Sequence, residues 1–324
     1  MNYIVLDLEW NQSCLGTKTT TPHMPFEIIE IGAVKLNEKL ETVSEFHQFV
    51  SPSVYNRMHF YTGELTNITM EELTASPKFP KVIKDFIAWC GDDYSFCTWG
   101  PSDITELQRN MNYHHIPLFK FPVYFYDLQK LFSILYEDGK ARSSLENAIT
   151  FFNIPVNSDF HRAINDAKYT AEILKQLDID IVKTYFSIDT YQIPENNSQA
   201  LYEIYKNDVY GSYSKYISRG FPSKNDVMED KNVIATPCFL CGRKLKKKIR
   251  WFSSNAKTYY CLSYCPEHGY MRGKIRMKKT DNGDYFAVRT LKFTNEDGVS
   301  AIYAKQADIR KKRKQKRLRA KNDK

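Results

Sequence analysis

The chain has 324 residues, of which 42% are hydrophobic and 14% aromatic, with a formal net charge of +8. That composition is typical of a globular protein and argues against an intrinsically disordered one. No run of about 20 apolar residues occurs, so no membrane-spanning helix is predicted. We expect no secretory signal, because a buried strand is predicted from residue 3 with no basic segment before it.

The positive charge is concentrated in the second half of the chain. Residues 1–235 carry a net charge of −10, residues 236–279 carry +11, residues 280–304 carry −2 and residues 305–324 carry +9. An acidic front and a basic rear favour a nucleic-acid partner that is held by the rear part. The alternative is that the basic residues serve only solubility.

The predicted elements begin with three strands and then alternate between helix and strand. Predicted strands cover residues 3–10, 27–36, 42–50, 94–98 and 123–126, and predicted helices cover residues 81–90, 104–112, 128–136, 144–152 and 163–177. The last helix has the clearest pattern, and its expected buried face consists of Ala167, Thr170, Ala171, Leu174 and Leu177. This order predicts an α/β fold with a mixed sheet flanked by helices.

Beyond residue 188 the pattern of alternating elements weakens. Residues 189–236 are predicted to form a linker and a tyrosine-rich arm. Residues 237–304 are predicted as a small, basic module that contains four of the seven cysteines, and residues 305–324 as a disordered basic tail. Because the cysteines do not form a disulfide framework, we expect a reducing, cytoplasmic location.

Four carboxylates and one histidine stand at the ends of the early elements. Asp7 and Glu9 share a face of the first strand, about 6.6 Å apart along the backbone. Asp103 follows the strand at 94–98, Asp166 lies in the first turn of the last helix, and His161 precedes that helix. Each has an ordinary structural explanation, such as a helix cap for Asp103 or a dipole partner for Asp166. Together they suggest a site for two divalent cations about 3.5–4 Å apart, as in phosphodiester cleavage.

The order and type of these residues resemble the DEDDh family of 3′–5′ exonucleases, which has a ribonuclease-H-like fold. That family has D-x-E on its first strand, a later Asp, and H-x4-D at the start of a helix, as in Asp7-Leu8-Glu9, Asp103 and His161/Asp166. Residues 64–69 also resemble its L-T-G-I-T segment, with Asn67 in place of the usual glycine. The resemblance covers roughly residues 1–180, is strongest to the subgroup that trims small RNAs and histone messages with its bacterial relatives, and implies that residues 1–188 form an exonuclease domain.

The resemblance implies a role for each of these residues. It assigns Asp7, Glu9, Asp103 and Asp166 to two Mg²⁺ or Mn²⁺ ions, and His161 to the removal of a proton from the attacking water. Trp10 and Leu65 are expected to contact the terminal nucleotide. The implied reaction is hydrolysis of single-stranded 3′ ends, with RNA slightly favoured over DNA as the substrate.

Two alternatives from other functional classes remain open at this point. The first is a catalytically quiet nucleic-acid-binding or regulatory protein that is built on an exonuclease fold. The second is a DNA proofreading or repair exonuclease subunit of a larger assembly. The complete set of five polar residues argues against the first alternative. None of the residues named above distinguishes RNA from DNA as the substrate or predicts the oligomeric state.

The four clustered cysteines have the spacing of a structural zinc site. Cys238-x2-Cys241 and Cys261-x3-Cys265 are predicted to bind one Zn²⁺, and His268 is an alternative to Cys265 as the fourth ligand. Four buried free thiols are the simpler alternative. A bound metal would help a segment with so little apolar surface to fold.

Cations and aromatic residues are interleaved around the cysteines, which is typical of a single-strand binding surface. Lys246, Lys248 and Trp251 are the predicted contacts to the nucleic acid. The tail at 305–324 is predicted to act as a non-specific arm for a polyanion. For the cations and aromatic residues around the cysteines, the alternative is a small core with buried aromatic rings and solvated lysines.

Overall fold

The structure, a computed structural model, describes residues 1–16, 20–21, 23–137, 139, 142–206 and 211–322, without the side chains of residues 317 and 320–322. Residues 207–210 of the predicted arm and 323–324 of the predicted tail lie outside the described residues. The chain divides into two compact units, residues 1–192 and residues 193–324.

The first unit contains six strands and eight helices among its described residues. In chain order they are β1 (Asn2–Asn11), β2 (Glu27–Leu36), β3 (Thr42–Phe49), α1 (Phe60–Thr66), α2 (Met70–Thr74), α3 (Phe79–Cys90), β4 (Tyr94–Thr98), α4 (Ser102–Tyr113), β5 (Tyr124–Asp127), α5 (Leu128–Tyr136), α6 (Leu145–Phe151), α7 (Ala163–Gln176), α8 (Ile179–Lys183) and β6 (Ser187–Ile188). The sheet order is β3-β2-β1-β4-β5-β6.

This sheet confirms the predicted mixed α/β fold. β1 pairs antiparallel with β2 and parallel with β4, and β4 pairs parallel with β5. Every residue of β2 except Lys35 is buried, since helices cover both faces of a sheet of this kind. Ser144 caps α6, because its hydroxyl accepts a hydrogen bond from the Asn147 amide.

The core of the first unit lies between β1, β2 and the helices α3 and α4. Its apolar side chains alternate along the strands, as the pleat of a sheet requires. Those from the strands and helices include Ile4, Leu6, Leu8, Ile31, Val82, Phe86, Ile104 and Leu107. The predicted buried face of α7 is also confirmed, so this helix lies with Ala167, Thr170 and Ala171 against the sheet.

The second unit contains a second six-stranded sheet, which the sequence analysis did not predict. Its elements are β7 (Leu201–Tyr205), β8 (Tyr213–Ile217), α9 (Lys224–Glu229), β9 (Lys246–Ser253), β10 (Thr258–Cys265), β11 (Gly269–Lys279), β12 (Tyr285–Phe293) and α10 (Glu296–Asn322). The sheet order is β7-β8-β12-β11-β10-β9, with antiparallel pairing throughout.

Two segments in the second half of the chain differ from their predicted structure. Residues 189–236 are not a linker and an arm, because β7 and β8 belong to the second sheet and α9 packs on it. Residues 305–322, which were predicted as a disordered tail, lie in the helix α10. Val299 and Ile302 pack the first half of that helix against Ile249 and Leu262. The basic second half therefore continues from a helix that is packed on the sheet. No helix within the described ranges combines the length and apolar character needed to cross a membrane.

Candidate active site and metal centre

The pairing of β1 with β2 sets the floor of the candidate site. Asp7 lies opposite Gly32, and Glu9 lies opposite Glu30. Because alternate residues of a strand share a face, these four positions point to the same side of the sheet. Two carboxylates of β1 therefore lie beside the two positions of β2 on which the helix α7 packs.

The first turn of α7 lies directly on β2. A Cβ atom placed on Gly32 would lie 2.1 Å from the carbonyl carbon of Ala163 and from the amide nitrogen of Ile164. Only glycine permits so close an approach of two backbones. Gly32 thus allows the first turn of α7 to reach the edge of β1.

Glu30 fixes the same turn through hydrogen bonds. Its side chain is fully buried, and its carboxylate accepts bonds from the Ala163 amide at 3.1 Å and from the Arg162 guanidinium at 3.3 Å. Nε2 of His47 lies 2.6 Å from the same carboxylate. Burial alone would raise the pKa of Glu30, but the hydrogen bonds from His47 and Arg162 lower it, so this carboxylate stays charged.

The segment before α7 brings His161 and Asp166 to Glu9. The ligand atoms of Glu9, His161 and Asp166 all lie within 4.8 Å of one another. His161 has a φ of 63°, and its amide donates a 3.0 Å hydrogen bond to the Asp166 carboxylate. The left-handed turn at His161 therefore brings its side chain and the Asp166 carboxylate to the same place.

Asp103 joins this group from the other side of β1. It lies in the first turn of α4, is only 6% exposed, and its carboxylate accepts a hydrogen bond from the Leu8 amide. The N-cap residue of α4 is Pro101, so the alternative explanation of Asp103 as a helix cap does not hold. The structure thus brings together the ligand atoms of Glu9, His161 and Asp166, and Asp7 and Asp103 are charged neighbours of this group.

Burial shifts the pKa values of the four carboxylates upward, and the repulsion between them adds to the shift at Asp7 and Glu9. Burial, together with Asp103, Glu9 and Asp166, raises the pKa of Asp7 well above its usual value. Burial and the neighbouring acids raise the pKa of Glu9 to about 8. Burial is also the main cause that raises the pKa of Asp103 to about 7 and that of Asp166 to about 6. The four groups cannot all carry full negative charge at neutral pH without a compensating cation.

The donor set fits a hard divalent cation. All four carboxylates offer oxygen ligands, which Mg²⁺ and Mn²⁺ prefer. Oδ1 of Asp166 is buried and has no hydrogen-bond partner among the described residues, an arrangement that is costly unless another group binds it. The site therefore has both the charge and the open ligand positions that a cation requires.

The helix α1 carries the segment that was predicted to contact the substrate. Leu65 is 53% exposed, and Phe60 and Tyr61 on the same helix are also exposed. Asn67 has a φ of 54°, and its amide bonds to the Gly63 carbonyl, so asparagine adopts the left-handed turn in which the resembled family has glycine. Trp10 is half-buried, with its ring 5.7 Å from that of Phe26, and its contact with the nucleotide stays a prediction.

Glu30 and Gly32 are the residues of this site that the sequence analysis missed. One signal was available in the sequence. A strand as apolar as β2 is covered on both faces of the sheet, so a glutamate within it is buried and needs charged partners. No pattern in the sequence identified Arg162 and His47 as those partners, since they come from different elements.

A second cluster of ligand atoms lies in the second unit. Sγ of Cys265 lies 3.5 Å from Nδ1 of His268 and 3.7 Å from Sγ of Cys241, and Sγ of Cys238 lies 3.6 Å from Nδ1 of His268. Zn²⁺ in a tetrahedral Cys₃His site imposes separations of about 3.8 Å between sulfurs and about 3.6 Å between sulfur and nitrogen. Burial opposes the ionisation of Cys265, but hydrogen bonds from His268 and from backbone amides lower its pKa to about 7. This cluster fits one zinc ion.

The prediction that Cys261 belongs to this cluster is wrong, and His268 takes its place. Cys261 and Cys265 both lie on β10, four residues and about 13 Å apart along the strand, too far to share one ion. Cys261 is buried, and burial raises its pKa to about 12, so it is an uncharged thiol. Cys265-x2-His268 repeats the spacing of Cys238-x2-Cys241, a signal that was present in the sequence.

The predicted nucleic-acid contacts in the second unit divide between two environments. Lys246 and Lys248 are exposed on the edge strand β9. Trp251 is not available for stacking with a base, because its indole nitrogen donates to the Ile234 carbonyl at 2.9 Å and its ring occupies the space above Gly273. That assignment of Trp251 is therefore corrected to a packing role.

The first unit combines a ribonuclease-H-like mixed sheet with a cluster of carboxylates and a histidine, which defines the class of the metal-dependent nucleases. The sequence profile of this class that matches, described as exonuclease (RNase T), covers residues 4–174, more than half of the chain. The chain belongs to this exonuclease family.

Individual relatives match the same part of the chain. The PolC-type DNA polymerase III of Clostridium perfringens is 34% identical over 181 residues, which are 52% of this chain and 12% of that protein. The 3′-5′ exoribonuclease 1 of Rattus norvegicus is 25% identical over 158 residues, 45% of each protein. The chain thus spans less than half the length of these relatives. A solved structure of the nuclease domain of 3′hExo, a DEDDh family member bound to rAMP, is 22% identical with a TM-score of 0.49, over 58% of this chain and 96% of that one.

Proposed function

We propose that this protein is a metal-dependent 3′–5′ exonuclease that releases nucleotides from single-stranded 3′ ends, with RNA preferred over DNA. The observation that carries this proposal is the group formed by Glu9, His161 and Asp166 in an exonuclease-family domain, with Asp7 and Asp103 as charged neighbours. The preference for RNA is supported by the relatives that are named exoribonucleases.

Asp7, Glu9 and Asp166 are the proposed ligands of two Mg²⁺ or Mn²⁺ ions, and Asp103 assists from the first turn of α4. When bound, such cations stabilise the charge that develops on the attacking and leaving oxygens of the phosphodiester. The protein's own contribution is to hold the carboxylates in a buried, crowded group whose raised pKa values favour the binding of a cation.

His161 is the proposed general base, because its ring is close enough to the carboxylates to reach a water molecule beside them. A neutral imidazole accepts a proton well near pH 7. The turn at φ 63° and the amide bond to Asp166 hold the histidine in place. The exposed side chains of Phe60, Tyr61 and Leu65 are proposed to pack against the terminal nucleotide.

The test of the reaction compares two single carboxylates that lie seven residues apart. Asp166→Asn removes a proposed metal ligand, and Asp159→Asn makes the same change at an exposed position of the preceding loop. We expect Asp166→Asn to lower turnover by about 10³-fold, since metal catalysis supplies several kcal/mol and each 1.36 kcal/mol is tenfold. Asp159→Asn should retain the parent rate. Equal rates in the two variants would contradict the metal assignment.

Direction and substrate are tested with matched RNA and DNA oligonucleotides of one sequence, labelled at the 5′ end and digested with and without Mg²⁺. A ladder that shortens by single nucleotides, and faster for RNA, is the expected result. Faster digestion of DNA would favour the proofreading or repair alternative, which the 34% identity to a DNA polymerase supports. No Mg²⁺-dependent digestion of either strand would favour a catalytically quiet binding protein.

We further propose that Cys238, Cys241, Cys265 and His268 bind one structural zinc ion. Support comes from the tetrahedral spacing of the four ligand atoms and from the loop that carries the first pair. In that loop the Gly242 amide donates to the Cys238 carbonyl at 2.7 Å, with a positive φ at Gly242. The zinc would link this loop to the end of β10.

A further inference from the structure

One face of the second sheet carries cations and tyrosines around the helix α10, which packs on the same face through Ile302 and Leu262. The register pairs Tyr260 with Lys274, Leu262 with Arg272 and Tyr264 with Tyr270, so these side chains share a face. We define the Tyr260 surface as Lys248, Tyr260, Tyr264, Arg272, Lys274 and Lys305. The opposite face carries Trp251, Ile275 and Met277 and packs against α9.

Cations are held in place over the rings of this surface. Nζ of Lys274 lies 5.9 Å and Nζ of Lys305 lies 5.0 Å from the centre of the Tyr260 ring. Nζ of Lys248 lies 5.5 Å from the centre of the Tyr264 ring. Tyr260 and Tyr264 are about 13 Å apart along β10, so the cations form a row rather than a point. The packing of Ile302 on Leu262 brings Lys305 to this row.

Within the described part of the chain, the cations of the Tyr260 surface have no acidic partners. Among the described residues, none of Lys248, Arg272, Lys274 and Lys305 forms an ion pair with a carboxylate, whereas Arg243 and Lys215 in the same unit do. Burial and the neighbouring cations Arg276, Arg272 and Lys305 lower the pKa of Lys274. Like charges held this close repel each other, and a bound anion would relieve that repulsion.

We propose that the Tyr260 surface binds the phosphodiester backbone of a single nucleic-acid strand, an inference that rests on the proposed nuclease function. A row of unpaired cations complements a polyanion that is likewise a row of charges. The exposed ring of Tyr264 and the partly buried ring of Tyr260 add flat apolar area beside the phosphates. The basic half of α10 extends the same charge, and Arg313 is anchored by a 3.0 Å hydrogen bond to the Ser253 carbonyl at the end of β9.

The chain supplies a matched control on the opposite face of the sheet. Nζ of Lys224 lies 5.4 Å from the centre of the Tyr285 ring, so it is also a lysine over a tyrosine in the second unit. The test variant is the double change Lys274→Gln and Lys305→Gln, and the control is Lys224→Gln. Glutamine keeps an aliphatic stem over the ring and removes only the charge.

Binding of a fluorescent oligonucleotide is measured by anisotropy over a range of salt, with Asp166→Asn present in every variant to prevent digestion. The plot of log affinity against log salt should become shallower by about 1.4 in the double variant, because each phosphate contact to a single strand contributes about 0.7. The slope of Lys224→Gln should equal that of the parent. An unchanged slope in the double variant would overturn the proposal.

Two further measurements separate this proposal from the proposed function. The first is hydrolysis of a small substrate, the p-nitrophenyl ester of thymidine 5′-monophosphate, measured without Asp166→Asn. Its rate should be unchanged in the double variant. Failure of the parent to hydrolyse it would count against the nuclease function alone. Vesicles of phosphatidylserine should bind weakly. Binding to vesicles that depends on the two lysines, without such dependence for the oligonucleotide, would assign the surface to an anionic membrane and overturn the proposal.

Discussion

The two oxygens of the Asp166 carboxylate have different environments. Oδ2 accepts the amide hydrogen of His161, whereas Oδ1 is buried with no hydrogen-bond partner in the described part of the chain. The first bond orients the carboxylate, and the second oxygen is left available for a ligand from outside the chain. One residue therefore links the position of the histidine to the position of the metal.

The side chain of His161 can be removed without removing this link, because its backbone amide makes the bond to Asp166. His161→Ala should lower kcat by about 10²- to 10⁴-fold, the usual contribution of a general base. The KM for an oligonucleotide and the affinity for Mg²⁺ should change little. Single-turnover kinetics and a Mg²⁺ titration of the thermal midpoint check both expectations. A variant that cleaves at the parent rate would show that another group takes the proton.

The raised pKa values make metal binding dependent on pH. Glu9 and Asp166, with pKa values of about 8 and about 6, hold protons in the folded state at a pH where the unfolded chain has lost them. The folded state therefore binds more protons between about pH 4 and about pH 8, and the stability that these groups contribute falls as the pH rises through that window. A cation that displaces these protons binds more tightly as the pH rises.

We accordingly expect Mg²⁺ to raise the thermal midpoint more at pH 8 than at pH 6. Each displaced proton changes the affinity by up to tenfold per pH unit, about 1.4 kcal/mol. Calorimetric scans at both pH values, with Na⁺ at matched ionic strength as the control, measure the difference. Glu9→Gln should reduce it, because that change removes the group with the pKa of about 8. Equal shifts at the two pH values would contradict the origin given for the raised pKa values.

At the scale of elements, the site depends on how α7 lies on β2. The Cβ position of Gly32 coincides with the backbone of the first turn of α7, and the Glu30 carboxylate bonds to the amide of Ala163 in that turn. One residue of β2 lets the helix approach and another holds it there. Because Asp166 lies in that first turn, its distance to Asp7 and Glu9 is set by these contacts.

Gly32→Ala should separate the turn from β2 and lower activity by about 10²-fold, the usual cost of a 1 Å displacement at a reacting centre. The midpoint of thermal unfolding should fall as well, since the added methyl group meets backbone and not a flexible side chain. Activity is therefore measured well below the midpoint, with circular dichroism as the check on folding. A folded variant with the parent rate would show that the helix does not need this close contact.

The elements of the first unit were predictable because each has its own periodic pattern. β2, β4 and α5 match the predicted residues 27–36, 94–98 and 128–136. The short helices α1, α2 and α8 were missed, because five to seven residues do not establish a period. The five polar residues of the site were predictable from motif spacing. The contact of α7 with Glu30 and Gly32 was not, because it depends on tertiary packing.

The second sheet was not predictable in the same way. Its strands β9 and β11 are rich in lysine and arginine, so their exposed face lacks the contrast between apolar and polar positions that usually marks a strand. The extension of α10 was missed for a related reason, since its second half has no apolar face of its own. Its helical form follows from the packed first half, where Val299 and Ile302 are held against the sheet.

At the scale of the whole molecule, the two units have opposite charge. Residues 1–192 contain 16 Lys and Arg against 25 Asp and Glu, and residues 193–324 contain 30 against 13. The unit with the carboxylate site therefore repels a polyanion, and the second unit attracts it. Binding of one strand by the second unit would raise its local concentration at the first, as a tether does.

Binding of a polyanion by the second unit requires that this unit stay folded. We expect zinc bound by the cysteine cluster to stabilise its fold. We expect elemental analysis to find about one zinc per chain in the parent, and Cys265→Ser and His268→Ala to lose it. Cys261→Ser is the matched control, because Cys261 lies on the same strand as Cys265 but outside the cluster. It should retain the metal.

Loss of zinc should weaken oligonucleotide binding more than it affects hydrolysis of the small p-nitrophenyl ester, because the carboxylate site belongs to the other unit. Structural zinc contributes about 10–16 kcal/mol in zinc-finger peptides, so the zinc-free variants should also unfold at lower temperature. Zinc retained in Cys265→Ser, or lost in Cys261→Ser, would show that the metal is bound by a different set of ligands from the one that the geometry indicates.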